Sequence, residues 1–346
     1  MDLATLWFFI IAFLFTGYFV LEGFDFGVGM LLPFLGGDEE ENDSRRTAAM
    51  TTIGPVWDGN EVWIITGGAA IFAAFPAWYA TLFSGFYLPL LLILVGLILR
   101  GVGIEWRAKV DTIAWRKRCD LGTTIGSYIP AFLWGVAMTN IVRGVAIDAE
   151  GSINSLSDGF IGLLNPAGIL GGLAFALLFA LHGALFLGLR THEPVRSRAH
   201  RLAVRFLSAP AVLAVAALGV VVQLGHGHAW TWVPLAVAAV SLITAIIAAA
   251  GSRDGLAFAL TCLTIVSAAV LLFGCLFPNV LPSTLDGGLT LTIDNASSSP
   301  YTLKIMTWAA VVMMPVVLIA QGFTYWCFRA RVAPKRTQNP RRKLTV

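Results

Sequence analysis

Residues 3–21 read LATLWFFIIAFLFTGYFVL, and nothing charged interrupts them. A helix of about 20 apolar residues spans the ~30 Å of hydrocarbon in a bilayer. Glu22 and Asp25 follow, and the apolar character then resumes to Phe34. This opening run does not read as a cleaved leader. Asp2 is its only early charge, no basic segment precedes it, it is too long, and no small-residue cleavage site follows. We read it as a retained membrane helix.

Runs of this kind recur along the chain. Of 346 residues, 57% are hydrophobic and 12% charged. Soluble domains carry about 25% charged residues, so half the usual solvating surface is missing. Hydropathy predicts helices over 4–35, 48–74, 78–104, 121–143, 165–190, 202–224, 230–250, 255–277 and 302–328. The runs are continuous rather than alternating, which excludes a β-barrel. The fold class is an all-α integral membrane protein with about nine transmembrane helices.

Lysine and arginine orient it. Arg45 and Arg46 fall in the first loop. Arg107, Lys109, Arg116, Lys117 and Arg118 fall in the third, and Arg190, Arg196, Arg198, Arg201 and Arg205 in or beside the fifth. Arg253 lies in the seventh loop. Arg329, Arg331, Lys335, Arg336, Arg341, Arg342 and Lys343 lie in the tail. With nine spans all of these share one side, and the other keeps only Arg143 and Lys304 at helix ends. The expected topology has the N-terminus outside and the C-terminus in the cytoplasm of a bacterial-type inner membrane. Labelling of Cys119 from the cytoplasmic face would report it. The outer loops, 144–164 and 278–300, are rich in Ser, Asn, Gly and Asp, and Asn295-Ala296-Ser297 reads as a loop tripeptide.

The charges left inside the spans carry the functional argument. Glu22 and Asp25 lie in the first span, Asp58 and Glu61 in the second, and Arg100 in the third. Acidic residues at mid-membrane cost ~2.5–3.5 kcal/mol on insertion scales and are usually functional. Each acidic pair is spaced i,i+3 and shares a helix face. At 1.5 Å per residue, Asp58 is expected ~15 Å from the cytoplasmic start of its helix and Asp25 at a similar depth. Together these groups form a proton entry path from the cytoplasm, with Arg100 compensating charge, or a buried salt-bridge network that fixes helix packing. Gly54, Pro55 and Gly59 weaken the second helix around Asp58. Asn60 is placed to satisfy freed backbone or hold a water, and Trp57 and Trp63 pack and anchor.

Histidine and cysteine contribute mainly exclusions. Only His182 lies within a span, so two histidines cannot face each other there around a haem. It reads as a polar residue hydrogen-bonded between helices. His226 and His228 flank Gly227 beside the outer face, a weak metal spacing. Cys119, Cys262, Cys275 and Cys327 form no CxxC pair and read as small hydrophobes. A faint repeat aligns Leu21-Glu22-Gly23-Phe24-Asp25-Phe26-Gly27 with Leu181-His182-Gly183-Ala184-Leu185-Phe186-Leu187, suggesting two four-helix bundles plus one peripheral helix. The expected units are 1–143, with the acidic cluster, 144–277, an outer loop 278–300, and 301–346 with the ninth helix and basic tail.

The acidic segments also carry a family resemblance. Leu21 to Gly27 resembles the first-helix signature of subunit II of the cytochrome bd quinol oxidases. Gly54-Pro55-Val56-Trp57-Asp58-Gly59-Asn60-Glu61-Val62-Trp63 resembles its second-helix signature. Leu99-Arg100 to Glu105-Trp106-Arg107, His182-Gly183-Ala184, Pro278-Asn279-Val280-Leu281-Pro282-Ser283 and Tyr301 to Trp308 match in order.

The resemblance implies a complex that oxidises quinol and reduces oxygen to water. It implies two b-type haems and one d-type haem in partner subunit I, which also carries the quinol-oxidation loop. Asp58 matches a position of a proton-uptake channel, with Asp25 and Glu22 as nearby intramembrane acids. Some members hold a structural quinone in this subunit and others do not; membrane lipid and small single-helix subunits are further expected partners, and nucleic acid is not. Two other classes stay open on the residues alone: a proton-coupled transporter and a purely structural membrane subunit. From the histidine count, the chain produced alone is expected to bind no stoichiometric haem. A b-type optical spectrum at one haem per polypeptide would contradict this.

Overall fold

Two residues decide where the second span begins. Pro55 has no N–H to give a helix, so the ladder stops there even though Gly54 itself keeps helical geometry. In the computed structural model, which describes residues 2–154 and 156–334, the predicted helix 48–74 is therefore two helices. Helix α1 covers Leu3–Leu31, α2 Glu39–Ile53 and α3 Trp57–Ala74, with a turn between α2 and α3 in which the Val56 N–H donates to the Ile53 carbonyl (2.9 Å). Asp38 caps α2, its carboxylate accepting the Glu41 N–H (2.9 Å). Glu39, Glu40 and Glu41 fill the first turn, where the helix dipole favours acids. The loop expected to hold Arg45 and Arg46 is thus itself a polar helix.

The third predicted span also divides. Helix α4 is Pro76–Gly85 and α5 is Tyr87–Trp106, broken at Phe86. The remaining helices are α6 (Ile113–Arg143), α7 (Pro166–Arg190), α8 (Val195–Arg201), α9 (Ser208–His226), α10 (Trp232–Ala250), α11 (Asp254–Leu276) and α12 (Pro300–Cys327). A π-helical segment, Leu202–Leu207, joins α8 to α9 in one continuous rod. Among the described residues eight helical segments are long and apolar enough to cross a membrane. Helix α3, with its two acids, is the shorter and more polar ninth. The all-α membrane fold class stands, with the second and third spans corrected at Pro55 and Phe86.

Helices α1, α6, α7 and α11 make the centre. Helices α1 and α7 run parallel and touch where side chains are absent: a Cβ on Gly27 would strike the Phe179 carbonyl and come 2.7 Å from Gly183 Cα. Small residues let helix backbones close in this way when hydrophobic collapse cannot drive them together. One turn away Gly23 faces Phe179, and Phe24 stacks on Phe186 at 4.0 Å. This registers α1 against α7 and fixes the direction in which Glu22 and Asp25 point.

The outer loops lie on each other. The Val145 N–H donates to Pro282 O (3.0 Å), Thr284 N–H to Val145 O (2.9 Å), and Ser283 Oγ to Ile147 O (2.7 Å). Asn279–Leu281 pairs with Leu291–Thr292 in a short antiparallel ribbon. Asn295 closes a turn by accepting the Thr292 N–H (2.8 Å). On the opposite face Asp254 takes Arg196 (2.9 Å), His200 (2.6 Å) and Arg331 (2.9 Å), and Val332 hydrogen-bonds Arg190 and His192. This clip ties the end of α12 down. Lys335, Arg336, Arg341, Arg342 and Lys343 lie outside the described residues.

Cys119 is buried, 7% exposed, and so makes a poor topology reporter. Lys109 and Asp286 are exposed on opposite loops. In a chain with its four cysteines replaced, Lys109→Cys is expected to label only from the cytoplasmic face of sealed vesicles and Asp286→Cys only from outside. The reverse pattern would invert the topology.

Candidate functional site: one arginine among buried carboxylates

Four helices bring ionisable and polar groups together. Helix α1 supplies Glu22 and Asp25, α3 supplies Asn60 and Glu61, α5 supplies Arg100, and α12 adds Gln321 and Tyr325. Glu22, Asp25, Asn60 and Arg100 are fully buried. Arg100 Nη1 donates to Glu22 Oε1 and lies 3.5 Å from Glu61 Oε1, while Nη2 lies 3.9 Å from Asp25 Oδ2. The Phe26 ring covers the guanidinium at 4.9 Å, a cation–π contact.

Asn60 organises the other side. Its Nδ2 donates to Asp25 Oδ2 (2.6 Å), and its Oδ1 accepts from Gln321 Nε2 (2.9 Å) and Tyr325 Oη (2.8 Å). Two donors from α12 thus orient the amide that holds the Asp25 carboxylate. Gln321 and Tyr325 escaped the reading of 302–328 as a plain apolar span. Their i,i+4 spacing and the glutamine inside a membrane helix were the available signal.

The site is short of partners. Three carboxylates, Glu22, Asp25 and Glu61, surround one arginine. Among the described residues Glu22 Oε2, Asp25 Oδ1, Glu61 Oε1, Arg100 Nε and Arg100 Nη2 have no hydrogen-bond partner. The network on the arginine-rich face differs: Asp120 takes Arg107 Nε (2.6 Å) and Arg46 (3.3 Å), Asp43 takes Arg107 and Arg116 (2.9 Å each), and Asp111 takes Arg116 (2.7 Å). There cations and acids are matched, as a packing device requires. Buried polar groups left partly unmet are costly, which makes them candidates for function.

Exposure falls off along α3 into the cluster. Asp58 is exposed, and its carboxylate accepts only the adjacent Gly59 N–H (2.8 Å) among the described residues. Glu61, one turn on, is half-buried, its side chain 20% exposed, and Arg100 beyond it is fully buried. Asp58 sits in the first turn of α3, so the count along one continuous helix 48–74 that gave it a depth of ~15 Å does not describe its helix. Trp57 reaches across to α5, donating to Glu105 Oε1 (3.3 Å), which places this turn level with the end of α5.

His182 is not brought to the cluster. Its Nε2 meets Val20 O (3.1 Å) and Nδ1 meets Thr261 Oγ1 (2.7 Å), and its ring stacks on Phe258 at 4.6 Å. The carbonyl of Val20 assigns the proton to Nε2, leaving Nδ1 to accept from Thr261. Both nitrogens are spent joining α1, α7 and α11, so the residue does not fit an axial haem ligand. No group of three or more His, Cys, Asp or Glu is placed to hold a metal ion among the described residues.

Eight helical segments long and apolar enough to cross a membrane among the described residues, with irregular backbone beside an acidic cluster, define a multi-pass membrane protein built around a buried ionic centre. The family model for cytochrome bd terminal oxidase subunit II matches residues 3–328, and the chain belongs to that family. A Bacillus subtilis (strain 168) relative named cytochrome bd ubiquinol oxidase subunit 2 is 42% identical over 338 residues, covering 96% of this chain and 98% of its own. The Escherichia coli (strain K12) cytochrome bd-I ubiquinol oxidase subunit 2 is 34% identical over 361 residues, covering 94% of each. A chain from the structure of bd oxidase from Geobacillus thermodenitrificans shares the fold, with a TM-score of 0.75 at 17% identity over 95% of this chain and 99% of that one.

Removing one partner from a buried ion pair costs about 3–5 kcal/mol. Arg100→Met, which strands three carboxylates, is expected to lower the thermal midpoint of the solubilised protein by several degrees or abolish its accumulation, with Arg100→Lys intermediate. An Arg100→Met protein melting like the parent would show that the cluster is not held by its arginine.

Proposed function

We propose that this chain acts as the non-haem subunit of a quinol-oxidising, oxygen-reducing membrane complex. In this reading it supports a haem-bearing subunit I and conducts protons from the cytoplasm through Asp58, Glu61, Asp25 and Glu22. Family membership supports the first part and displaces the reading as a transporter. The names of the relatives support quinol as the substrate of the assembly. The two b-type haems and the d-type haem belong to subunit I, consistent with the engagement of His182.

One observation carries the proton path: three carboxylates share one arginine, with unmet oxygens, along a gradient from exposed Asp58 to buried Arg100. Asp58 takes a proton at the membrane edge, in the first turn of α3. Glu61 lies one turn further on the same helix face. From there Asp25 and Glu22 receive it beside Arg100, whose fixed charge keeps the cluster from accumulating uncompensated negative charge. The surface around Asp58 is otherwise apolar, with Val62, Ile65 and Ile98 exposed. Carboxylates seldom face lipid, so we assign this side of α3, α5 and α12 to contact with subunit I. The purely structural reading keeps one observation of its own, the direct Arg100–Glu22 pair.

Asp58→Asn separates the two. The residue makes a single local hydrogen bond that an amide oxygen reproduces. The variant is expected to assemble with normal haem content and to turn over at least tenfold more slowly, about 1.4 kcal/mol in the limiting barrier, with proton uptake slowed in step. Haem content and quinol oxidase rate measured on one preparation decide. An assembled, fully active Asn variant would remove Asp58 from any required path.

A further inference from the structure

A large cavity lies away from the ionic centre, beside α6 and α7. It is an open groove of about 780 Å³ running between these helices and the α8–π segment. Its walls are apolar and include Leu31, Phe132, Leu173, Leu177, Leu202 and Phe206. Along α7 it extends from Ala180, ten residues before Arg190, to Leu173, seventeen before it. At 1.5 Å per residue these lie ~15 and ~25 Å from the helix end. With Arg198 at its other end, the groove therefore reaches from the arginine-rich rim to ~25 Å along α7, past the middle of the ~30 Å hydrocarbon layer.

Its mouth is cationic. Arg198 lines it, with Nε donating to Phe34 O (2.7 Å), which holds the guanidinium at the rim. Arg201 and Arg205 follow at i+3 and i+7 on the same rod, beside Leu202 and Phe206 on the wall, and both are exposed. None of the three has a carboxylate partner among the described residues. By contrast Arg45, Arg46, Arg107, Arg116 and Arg196 on the same face are each met by an acid. The general bias of basic residues to one side explains why arginines are here. Arg118, Arg190, Arg253 and Arg329 likewise pair with no acid among the described residues; what the bias does not explain is Arg198 set into the lining of an apolar groove, with Arg201 and Arg205 exposed on the same rod.

We infer that this groove is a binding site for an anionic phospholipid of the inner leaflet. One acyl chain lies between α6 and α7, and the phosphate is held by Arg198, Arg201 and Arg205. Arginine suits this task because its planar fork pairs with phosphate oxygens in bidentate fashion. An uncharged isoprenoid quinone would fill the apolar walls but would not need the arginines. A zwitterionic lipid would gain less from three cations, because its own ammonium competes for the phosphate.

The test uses the whole complex, delipidated in detergent and titrated with phosphatidylglycerol or phosphatidylcholine, with bound lipid counted by native mass spectrometry. The parent is expected to retain phosphatidylglycerol at least tenfold better than phosphatidylcholine. Replacing Arg198, Arg201 and Arg205 together by Gln is expected to remove that preference, while replacing all three by Lys keeps most of it. Ala176→Phe, which fills the groove without touching the arginines, is expected to lower retention of both lipids. Equal retention of the two lipids by the parent, an unchanged preference in the Gln variant, or a quinone rather than a phospholipid lost on Ala176→Phe would each overturn the assignment.

Discussion

The guanidinium of Arg100 is the constraint around which the membrane half of this protein is arranged. It is fully buried and contacts Glu22, Asp25 and Glu61 from two other helices. An unpaired charge at that depth costs several kcal/mol, so α1, α3 and α5 must meet there for the chain to fold at all. Three carboxylates nevertheless exceed what one arginine can neutralise. A cluster evolved only for packing would match its charges, as Asp43, Asp111 and Asp120 do with Arg46, Arg107 and Arg116 on the arginine-rich face.

The rest of the fold serves this centre. Gly27 against Gly183 sets the register of α1, and with it the rotation of Glu22 and Asp25. The break at Pro55 brings the N-terminal turn of α3, and Asp58 with it, to the edge of the cluster instead of burying it in a longer helix. Helix α12 buries only Leu303 along its length, yet Gln321 and Tyr325 complete the hydrogen bonds of Asn60. The clip at Asp254 holds that helix at its C-terminal end, and Trp7 donates to Thr307 Oγ1 (3.1 Å) near its N-terminal end.

The membrane class, the run of helices and the five intramembrane charges were legible because each is a local property. A run such as residues 3–21 admits one solvent, and a charge inside such a run stands out. Continuity across Gly54–Pro55 and across Phe86 misled, because hydropathy averages over a window while a backbone break occupies one or two residues. The count that placed Asp58 ~15 Å along one helix rested on the first of these. Gln321 and Tyr325 were passed over because only charges were sought in the ninth span. His182 read correctly as an interhelical hydrogen-bonding residue, but nothing local to it revealed its distance from the acids.

The central claim is that the cluster around Arg100 moves protons rather than only fixing helices, and Asp25 is the residue on which that claim bears most directly. Its Oδ2 is held by Asn60 while Oδ1 is unmet among the described residues. Single-turnover reaction of the reduced complex with oxygen, followed by haem absorbance and by a pH-indicator dye together, reports electron and proton events separately. In an assembled Asp25→Asn complex the account predicts oxygen binding at the parental rate and proton uptake slowed at least about tenfold, equivalent to ~1.4 kcal/mol. Proton uptake at the parental rate in that complex would contradict it.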